Sequence, residues 1–162
     1  MIEIAVIDAG PLIHLDQLEC LDLLEGFTAI HLPPEVKTEV AVHRPRFEWT
    51  KLTGVKVSTA RISPRVATYA RTLDLHSGEI AALSLLEHLQ GQLFLCDDAA
   101  ARLAAESMGF QVHGTIGLII RAIHRGTRPA AEVKRILEQI PDRSTLHISR
   151  ALLQKVIRSL PS

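Results

Sequence analysis

Acidic residues follow two mostly apolar segments of the chain at the point where each segment ends. Asp8 follows residues 2–7, and Asp97 and Asp98 follow residues 92–96. Both segments have the composition of strands that are buried on both faces, and each leads directly into a helical pattern. Because the carboxyl ends of parallel strands open on one edge of a sheet, we expect these acids to be neighbours there.

Two further acids, Glu39 and Glu79, extend this predicted cluster. Glu79 lies in the first turn of a strongly helical segment, and Glu39 lies in the helix that follows the second predicted strand. Carboxylates gathered in one pocket raise one another's pKa unless cations lie between them. Mg²⁺ and Mn²⁺ prefer oxygen ligands, and one or two such ions can activate water for in-line displacement at phosphorus. The acids therefore predict a divalent-metal site that acts on a phosphoryl group.

Each acid also has an ordinary structural explanation when it is considered alone. An aspartate after a strand is often a helix N-cap, which would account for Asp8 and for one of Asp97 and Asp98. The carboxylate of Glu79 would gain up to about 1 kcal/mol from the helix dipole, and Glu39 suits an exposed helix position. The prediction of a metal site therefore depends on the joint placement of the acids.

Other catalytic and cofactor-binding motifs are absent from the sequence. There is no G-x-G-x-x-G after the first predicted strand and no G-x-x-x-x-G-K-[ST], so the phosphate-binding loops of dinucleotide and P-loop proteins are missing. A D-x-D phosphatase would need an acid two residues after Asp8, where this chain has Gly10. The eight histidines include no H-E-x-x-H pattern, and helix capping explains Ser77 and Thr115 without a nucleophilic role.

The composition is that of an ordinary globular protein with no net charge. Its 162 residues are 47% hydrophobic and 22% charged, and no apolar stretch reaches the roughly 18 to 20 residues of a membrane span. The apolar start leads into Asp8 without a basic segment, and the two cysteines lack metal spacing, so we expect no signal peptide and a cytoplasmic location. Residues 1–98 carry 8 Lys/Arg and 14 Asp/Glu, whereas residues 99–162 carry 10 and 4. The basic part could meet phosphates, or it could be solvated helix faces.

Five predicted strands alternate with helices up to about residue 125, and only helices are predicted after Gly126. This alternation predicts an α/β three-layer sandwich with a central parallel sheet of about five strands, followed by two C-terminal helices. We expect one domain over residues 1–162, with an α/β core at 1–125 and a helical extension at 126–162. The predicted strands are 2–8, 27–32, 55–58, 92–96 and 110–113, and the predicted helices before the extension are 12–24, 33–43, 64–71, 77–89, 99–108 and 116–124.

Three details complete the predicted organisation. Ser77 is expected to be the N-cap of the helix that carries Glu79. Residues 43–54 have no clear periodicity and predict an exposed connection. The two C-terminal amphipathic helices could pack on the main layer, cover an edge of the sheet or form an oligomer contact.

Five segments, in chain order, carry a family resemblance. They are V-I-D-A-G-P-L-I-H-L, L-P-P-E-V-K-T-E-V, S-G-E-I-A-A-L-S-L-L, L-F-L-C-D-D-A-A-A-R-L-A-A-E and V-H-G-T-I-G-L-I-I-R-A. Together they resemble the PIN domain, and most closely a prokaryotic subgroup related to the toxin ribonucleases of toxin–antitoxin pairs. The resemblance covers residues 1–125, and the two trailing helices also resemble that subgroup. It implies a Rossmann-like sandwich and a ribonuclease that depends on Mg²⁺ or Mn²⁺.

The resemblance implies a role for each acid. Asp8 matches the acid after the first strand, and Glu39 matches the helix acid after the second strand. Glu79 matches the third acid, and Asp98 matches the acid after the fourth strand. The two aspartates would bind the principal ion, and the two glutamates would bind it through water or hold a second ion. The remaining candidates are Asp97 as a further metal ligand, Thr115 as a substrate-binding residue at the border of the site, and Arg102, Arg121, Arg125 and Arg128 as phosphate contacts.

Three functional hypotheses follow. The first is an endoribonuclease in which water attacks phosphorus in line and leaves a 5′-phosphate and a 3′-hydroxyl, as the family pattern implies. The second is a PIN-fold binding or regulatory module with little catalysis, because Gly10 replaces a frequent Ser or Thr and Cys96 replaces a common Thr. The third is a toxin that a cognate antitoxin protein inhibits. The resemblance also implies a homodimer, and RNA is the expected substrate.

Overall fold

A five-stranded parallel sheet forms the centre of the computed structural model, which describes residues 4–162. The strand order is β3-β2-β1-β4-β5, so the first strand of the chain is the central one. All pairings are parallel, and the carboxyl ends of the five strands therefore lie on one edge, called here the carboxyl edge. Residues 2 and 3 of the first predicted strand lie outside the described residues. The strands are β1 (Ile4–Ile7), β2 (Ala29–Leu32), β3 (Val55–Val57), β4 (Leu93–Leu95) and β5 (Gln111–His113).

Helices cover both faces of the sheet and complete the predicted three-layer sandwich. Alternate side chains of β1 point to opposite faces, so that Ala5 and Ile7 join one apolar cluster and Val6 joins the other. Helices α1, α2, α6 and α7 contribute to the first cluster, and α3, α4 and α5 contribute to the second. The helices are α1 (Ala9–Gln17), α2 (Pro34–His43), α3 (Pro64–Leu73), α4 (Ser77–His88), α5 (Ala99–Ser107), α6 (Thr115–His124), α7 (Ala130–Glu138), α8 (Ile140–Arg143) and α9 (Arg150–Ser159).

The register between β1 and β4 positions the acids that follow them. Ile7 pairs with Leu95, and the amide of Asp8 donates a hydrogen bond of 2.9 Å to the carbonyl of Leu95. Both strands are buried because layers cover both faces, which explains their continuous apolar sequences. The residues after Ile7 and Leu95 therefore emerge side by side at the carboxyl edge.

The helix predicted over residues 12–24 is wrong in its extent. The α-helix ends at Gln17, Glu19 has a left-handed backbone with φ of 57°, and residues Leu21–Gly26 form a 3₁₀-helix. The apolar residues at positions 12, 15, 18, 21 and 24 are spaced by three, which suits the three residues per turn of a 3₁₀-helix. The periodicity was thus compatible with two kinds of helix, and the break at Glu19 separates them.

The connection at residues 43–54 is exposed over most of its length, as predicted, but two of its side chains are buried. Phe47 and Leu52 are buried against the first apolar cluster. The rings of Phe47 and Trp49 lie 4.5 Å apart between centroids, and the Lys37 ammonium lies 5.4 Å from the Trp49 centroid. Scattered aromatic residues therefore anchor this connection without producing a periodic pattern.

The C-terminal helices pack on the main layer, which was one of the three predicted arrangements. Val133, Leu137, Ile140 and Leu153 are buried in the cluster on the α1 and α6 face of the sheet. The one-turn helix α8 between the two predicted helices was not expected. Between residues 4 and 162, no helix is long and apolar enough to cross a membrane.

Candidate active site

Asp8 is the buried acid at the centre of the carboxyl edge. Its side chain is 6% exposed, and although Asp8 precedes α1, no capping hydrogen bond to its carboxylate is formed within the described chain. Its Oδ1 has no hydrogen-bond partner among residues 4–162, and its Oδ2 accepts a long hydrogen bond of 3.5 Å from Cys96 Sγ. The N-cap explanation therefore does not account for this carboxylate.

The electrostatic surroundings of Asp8 favour its neutral form unless a cation is present. The pKa of Asp8 is raised from 3.8 to about 7, mainly by burial and further by the negative charges of Glu39 and Glu79. The backbone amide of Ala9 offsets only part of it. An acid that is buried, short of donors and close to other acids has the properties of a metal ligand.

Glu79 lies on the first turn of α4 and points toward the same edge. Its side chain is 12% exposed, and its Oε2 accepts a hydrogen bond of 2.8 Å from the backbone amide of His76. Burial raises the pKa of Glu79 against the effect of this hydrogen bond, and the charge of Asp98 raises it further. The N-cap of α4 is His76, so the prediction of Ser77 as the cap is wrong by one residue.

Glu39 approaches the first turn of α4 from the neighbouring helix α2. A Cβ atom on Gly78 would lie 3.1 Å from Glu39 Oε2, so the absence of a side chain at this position allows the approach. Glu39 is exposed, yet its charge reaches Asp8 and raises the pKa of that residue. Glu39 therefore forms the outer, solvated side of the acid cluster.

Asp98 is the N-cap of α5 and also belongs to the acid cluster. Its Oδ2 accepts a hydrogen bond of 2.9 Å from the amide of Ala101, and its charge acts on Glu79. Asp98 is exposed, and the described residues make no hydrogen bond to its Oδ1. Of the Asp97–Asp98 pair, Asp98 is thus the residue that caps a helix. Its Oδ1 remains available for a ligand.

Asp97 is held by three hydrogen bonds, which differs from its predicted role as a metal ligand. Its Oδ1 accepts from the amide of Thr115 at 2.7 Å, and its Oδ2 accepts from the Thr115 hydroxyl at 2.6 Å and lies 2.6 Å from His14 Nδ1. Burial would raise the pKa of Asp97, but the hydrogen bonds from His14 and Thr115 outweigh it and lower that pKa. Asp97 therefore joins α1 and α6 to the end of β4.

The hydrogen bonds to Asp97 hold the side chains of Thr115 and His14 in place. Thr115 is fully buried and its hydroxyl is used by Asp97, so the structure does not place it where a substrate could contact its side chain. His14 was absent from the predicted site, because the sequence gives no sign that it would meet Asp97.

The structure brings Arg102 to the carboxyl edge. Its Nη1 donates a hydrogen bond of 3.2 Å to the carbonyl of Cys96, directly before the aspartate pair. A Cβ on Gly114 would lie 2.6 Å from the same nitrogen, so the guanidinium occupies the space that a side chain at this position would fill. Arg102 therefore lies at the carboxyl edge, next to the backbone that precedes Asp97.

The other candidate arginines lie at the opposite end of α6. The guanidinium of Arg121 stacks over the Phe27 ring at 4.1 Å from its centroid, and Phe27 precedes β2 at the amino ends of the strands. Arg125 lies against Gly26, and Arg128 forms ion pairs with Asp22 and Glu132. The structure therefore does not bring these three arginines to the acids.

The donor set fits a hydrated divalent cation better than a fully dehydrated one. Among residues 4–162, no three His, Cys, Asp or Glu side chains converge as a preformed metal cage. Mg²⁺ commonly keeps several of its waters and is held by one or two carboxylates. The unpaired Oδ1 of Asp8 and the available Oδ1 of Asp98 are oxygens of this kind. Glu39 and Glu79 add negative charge at the same site, because both raise the pKa of Asp8.

A cavity of about 920 Å³ lies away from these acids, between the C-terminal end of α1 and the connection after α2. Ion pairs cross its lining, including Arg44 to Asp16 at 2.6 Å and Arg143 to Glu19 at 3.6 Å. Its charged groups are therefore largely compensated by one another. The acids at the carboxyl edge lack such compensation and are therefore the better candidates for chemistry.

Comparison with known proteins gives one positive finding. A family model described as a PIN domain matches residues 4–162, which are all of the described residues. The match includes the C-terminal helices as well as the sheet. No curated protein matches the chain.

Proposed function

The chain belongs to the PIN-domain family, and on that basis we propose that it is an endoribonuclease dependent on Mg²⁺ or Mn²⁺. PIN domains are generally nucleases and typically use divalent metals. The observation that supports the proposal most strongly is the buried, unpaired Oδ1 of Asp8, which lies close to the charges of Glu39 and Glu79. A carboxylate in this state is poorly stabilised by the protein and would be stabilised by a cation.

Each acid has a distinct part in the proposed reaction. Asp8 and Asp98 offer oxygens for direct ligation, one from the end of β1 and one from the N-terminus of α5. Glu79 is oriented by the His76 amide and Glu39 lies against Gly78, and both would accept hydrogen bonds from the waters of a bound ion. A bound Mg²⁺ or Mn²⁺ supplies a more acidic water and charge neutralisation at the phosphate.

Arg102 completes the proposed phosphate site. RNA carries a negative charge on every nucleotide, and an acid cluster without compensation would repel it. The Arg102 guanidinium is fixed by the Cys96 carbonyl and has further donors for phosphate oxygens. Arg121 and its neighbours at the other end of α6 are not included in this proposal.

The proposal is tested by RNA cleavage in Mn²⁺ with wild type, Asp8→Asn and the control Asp74→Asn. We expect Asp8→Asn to lose at least about 100-fold in rate, because even residues that only support metal ligands commonly cost 10- to 100-fold. Asp74 is exposed and has a left-handed backbone that asparagine also accepts, so this control should cleave as wild type does. Equal cleavage by wild type and Asp8→Asn would refute the assignment.

A PIN-fold RNA-binding module without catalysis is the second candidate. It is favoured by the lack of a preformed metal cage within the described chain and by the capping bond that occupies one oxygen of Asp98. Calorimetric titration with Mn²⁺ separates the two candidates. Binding that Asp8→Asn abolishes supports the nuclease, and no binding to wild type supports the module.

A toxin inhibited by an antitoxin protein is a narrower form of the nuclease proposal. The family resemblance supports it, together with homodimer formation. Growth arrest on expression, relieved by the product of a neighbouring gene, is the expected result. A harmless expression phenotype with an active nuclease indicates RNA processing instead, and light scattering measures the mass of the assembly.

A further inference from the structure

His14 lies on α1 with its ring beside the first turn of that helix. Helical side chains lean toward the N-terminus, so the ring reaches back over Gly10, four residues earlier. A Cβ on Gly10 would lie 3.7 Å from His14 Cε1 and 3.4 Å from Asp97 Oδ2. Because Gly10 has no side chain, this edge of the ring is not covered by the turn that begins directly after Asp8.

The contacts of Asp97 indicate which ring nitrogen carries hydrogen. Both Asp97 oxygens already accept hydrogen bonds from Thr115, so the carboxylate acts as an acceptor and His14 Nδ1 is the donor at 2.6 Å. A neutral imidazole with its hydrogen on Nδ1 has a lone pair on Nε2. In the part of the chain that the structure describes, Nε2 has no hydrogen-bond partner, and the His14 side chain remains 13% exposed. The network thus fixes the ring beside Asp97 with Nδ1 as the donor, and in the neutral imidazole it leaves Nε2 as an acceptor.

The hydrogen bond from His14 is not needed to satisfy Asp97. The amide and hydroxyl of Thr115 already provide one donor to each carboxylate oxygen. The additional bond mainly fixes the orientation of the imidazole ring. An oriented ring with an accessible Nε2 has the arrangement expected of a group that contacts a ligand.

We propose that His14 Nε2 accepts a hydrogen bond from a ribose 2′-hydroxyl of bound RNA and thereby favours RNA over DNA. This inference rests on the proposed nuclease function, which places the nucleic-acid backbone at the carboxyl edge. Phosphate oxygens are acceptors and do not pair with a neutral Nε2, whereas the 2′-hydroxyl is a donor that DNA lacks. The sugar is also the backbone group adjacent to any phosphate held near Asp8.

The test measures binding of RNA oligonucleotides that carry a single 2′-deoxy substitution at each position in turn, by fluorescence anisotropy in Ca²⁺. In wild type we expect one position at which loss of the hydroxyl weakens binding by about 3- to 10-fold, the usual worth of one neutral hydrogen bond. His14→Ala should bind the ribose and deoxyribose forms of that position equally. His14→Phe, which keeps a ring but no acceptor, should behave as His14→Ala does.

Thr115→Val is the matched control, because it removes another hydrogen bond to the same carboxylate without altering Nε2. It should keep the position-specific preference for ribose even if its overall affinity falls. His14→Gln, whose amide oxygen can also accept, should recover part of the preference. Melting temperatures and Mn²⁺ titrations of the variants show whether the fold and the acid site are retained.

The outcomes separate this inference from the proposed function. An unchanged 2′-deoxy profile in both His14→Ala and His14→Phe overturns the inference, as does a wild-type profile with no sensitive position. The inference is also overturned if the loss of affinity at that position depends on the identity of the base and not on the sugar. RNA that is bound with the expected profile but not cut in Mn²⁺ refutes the nuclease and leaves the role of His14 supported.

Discussion

Asp8, which is buried, and Asp97, which is partly buried, are carboxylates that follow adjacent strands, yet their surroundings are opposite. Asp97 is held by three hydrogen bonds that lower its pKa, whereas Asp8 has one unpaired oxygen and a pKa raised to about 7. Burial raises the pKa of both, so the difference comes from the hydrogen-bond donors around Asp97 and from the neighbouring charges, which are negative at Asp8. One carboxylate therefore stabilises the fold, and the other costs stability unless a cation compensates it.

The largest expected effect is a stability gain from Asp8→Asn in the absence of metal. Folding raises the pKa of Asp8, so the wild type loses stability as the pH rises from about 4 to about 7, while the variant does not. A shift of about three pKa units corresponds to roughly 4 kcal/mol, and burial of the asparagine amide should reduce the gain to about 2–3 kcal/mol at pH 8.

Urea unfolding in EDTA at several values between pH 5 and pH 8 measures this gain. The difference between the two proteins should grow with pH and level off above pH 7. A difference that shrinks as the pH rises would contradict the description of Asp8 as an unpaired carboxylate.

Mn²⁺ should stabilise wild type but not Asp8→Asn. A ligand at 100 times its Kd raises the free energy of unfolding by about 2.7 kcal/mol when it binds only the folded state. Asp97→Asn should keep most of this stabilisation, because its oxygens are used by His14 and Thr115. Thermal unfolding with and without Mn²⁺ measures the effect. Equal losses of stabilisation in the two variants would make Asp97 a ligand after all.

Asp97→Asn should destabilise the metal-free protein, which is the opposite sign from Asp8→Asn. The new amide would place a donor where Asp97 now only accepts, and an unsatisfied buried polar group costs about 1–3 kcal/mol. We expect a decrease of about 2 kcal/mol at pH 8 in the same urea experiment. Asp22→Asn, at a surface ion pair, is the control and should change stability by less than about 1 kcal/mol.

The smallest expected effect is that of Glu39→Gln. Glu39 raises the pKa of Asp8 by its charge, so its removal should stabilise the metal-free protein at pH 8. Glu39 is exposed and solvent screens it, so the gain should be only a few tenths of a kcal/mol. Glu35→Gln on the same helix is the matched control. An equal gain in stability from Glu39→Gln and Glu35→Gln would show that the effect comes from net charge and not from the position of Glu39 near Asp8.

Much of the fold could be predicted because strands and helices are encoded locally. The apolar segment at residues 92–96, preceded by Gly91, predicted β4, and the predicted start differs from the observed start by one residue. The family resemblance to the PIN domain is confirmed over residues 4–162. The prediction of one helix over residues 12–24 was wrong because a spacing of three residues suits both an α-helix and a 3₁₀-helix. The left-handed backbone of Glu19 separates the α-helix from the 3₁₀-helix that follows.

The contacts of the site were harder to predict than the positions of its acids. His14 and Asp97 meet because the register of β1 and β4 brings their following residues together, and register is not visible in either segment alone. The prediction that Arg121 would lie near the acids could have been avoided. A helix that starts at the carboxyl edge carries a residue six positions later roughly 9 Å toward the other end of the sheet.

The position of the first strand at the centre of the sheet has a consequence during synthesis. A chain still on the ribosome that ends before β4 contains Asp8 but neither its neighbouring strand nor Asp98. The hydrogen bonds that fix Asp97 also require Thr115, which is made later still. Long-range pairing of this kind forms only after the distant segments have emerged. The acid cluster is therefore assembled late, and an incomplete chain beside its own messenger RNA has no complete site.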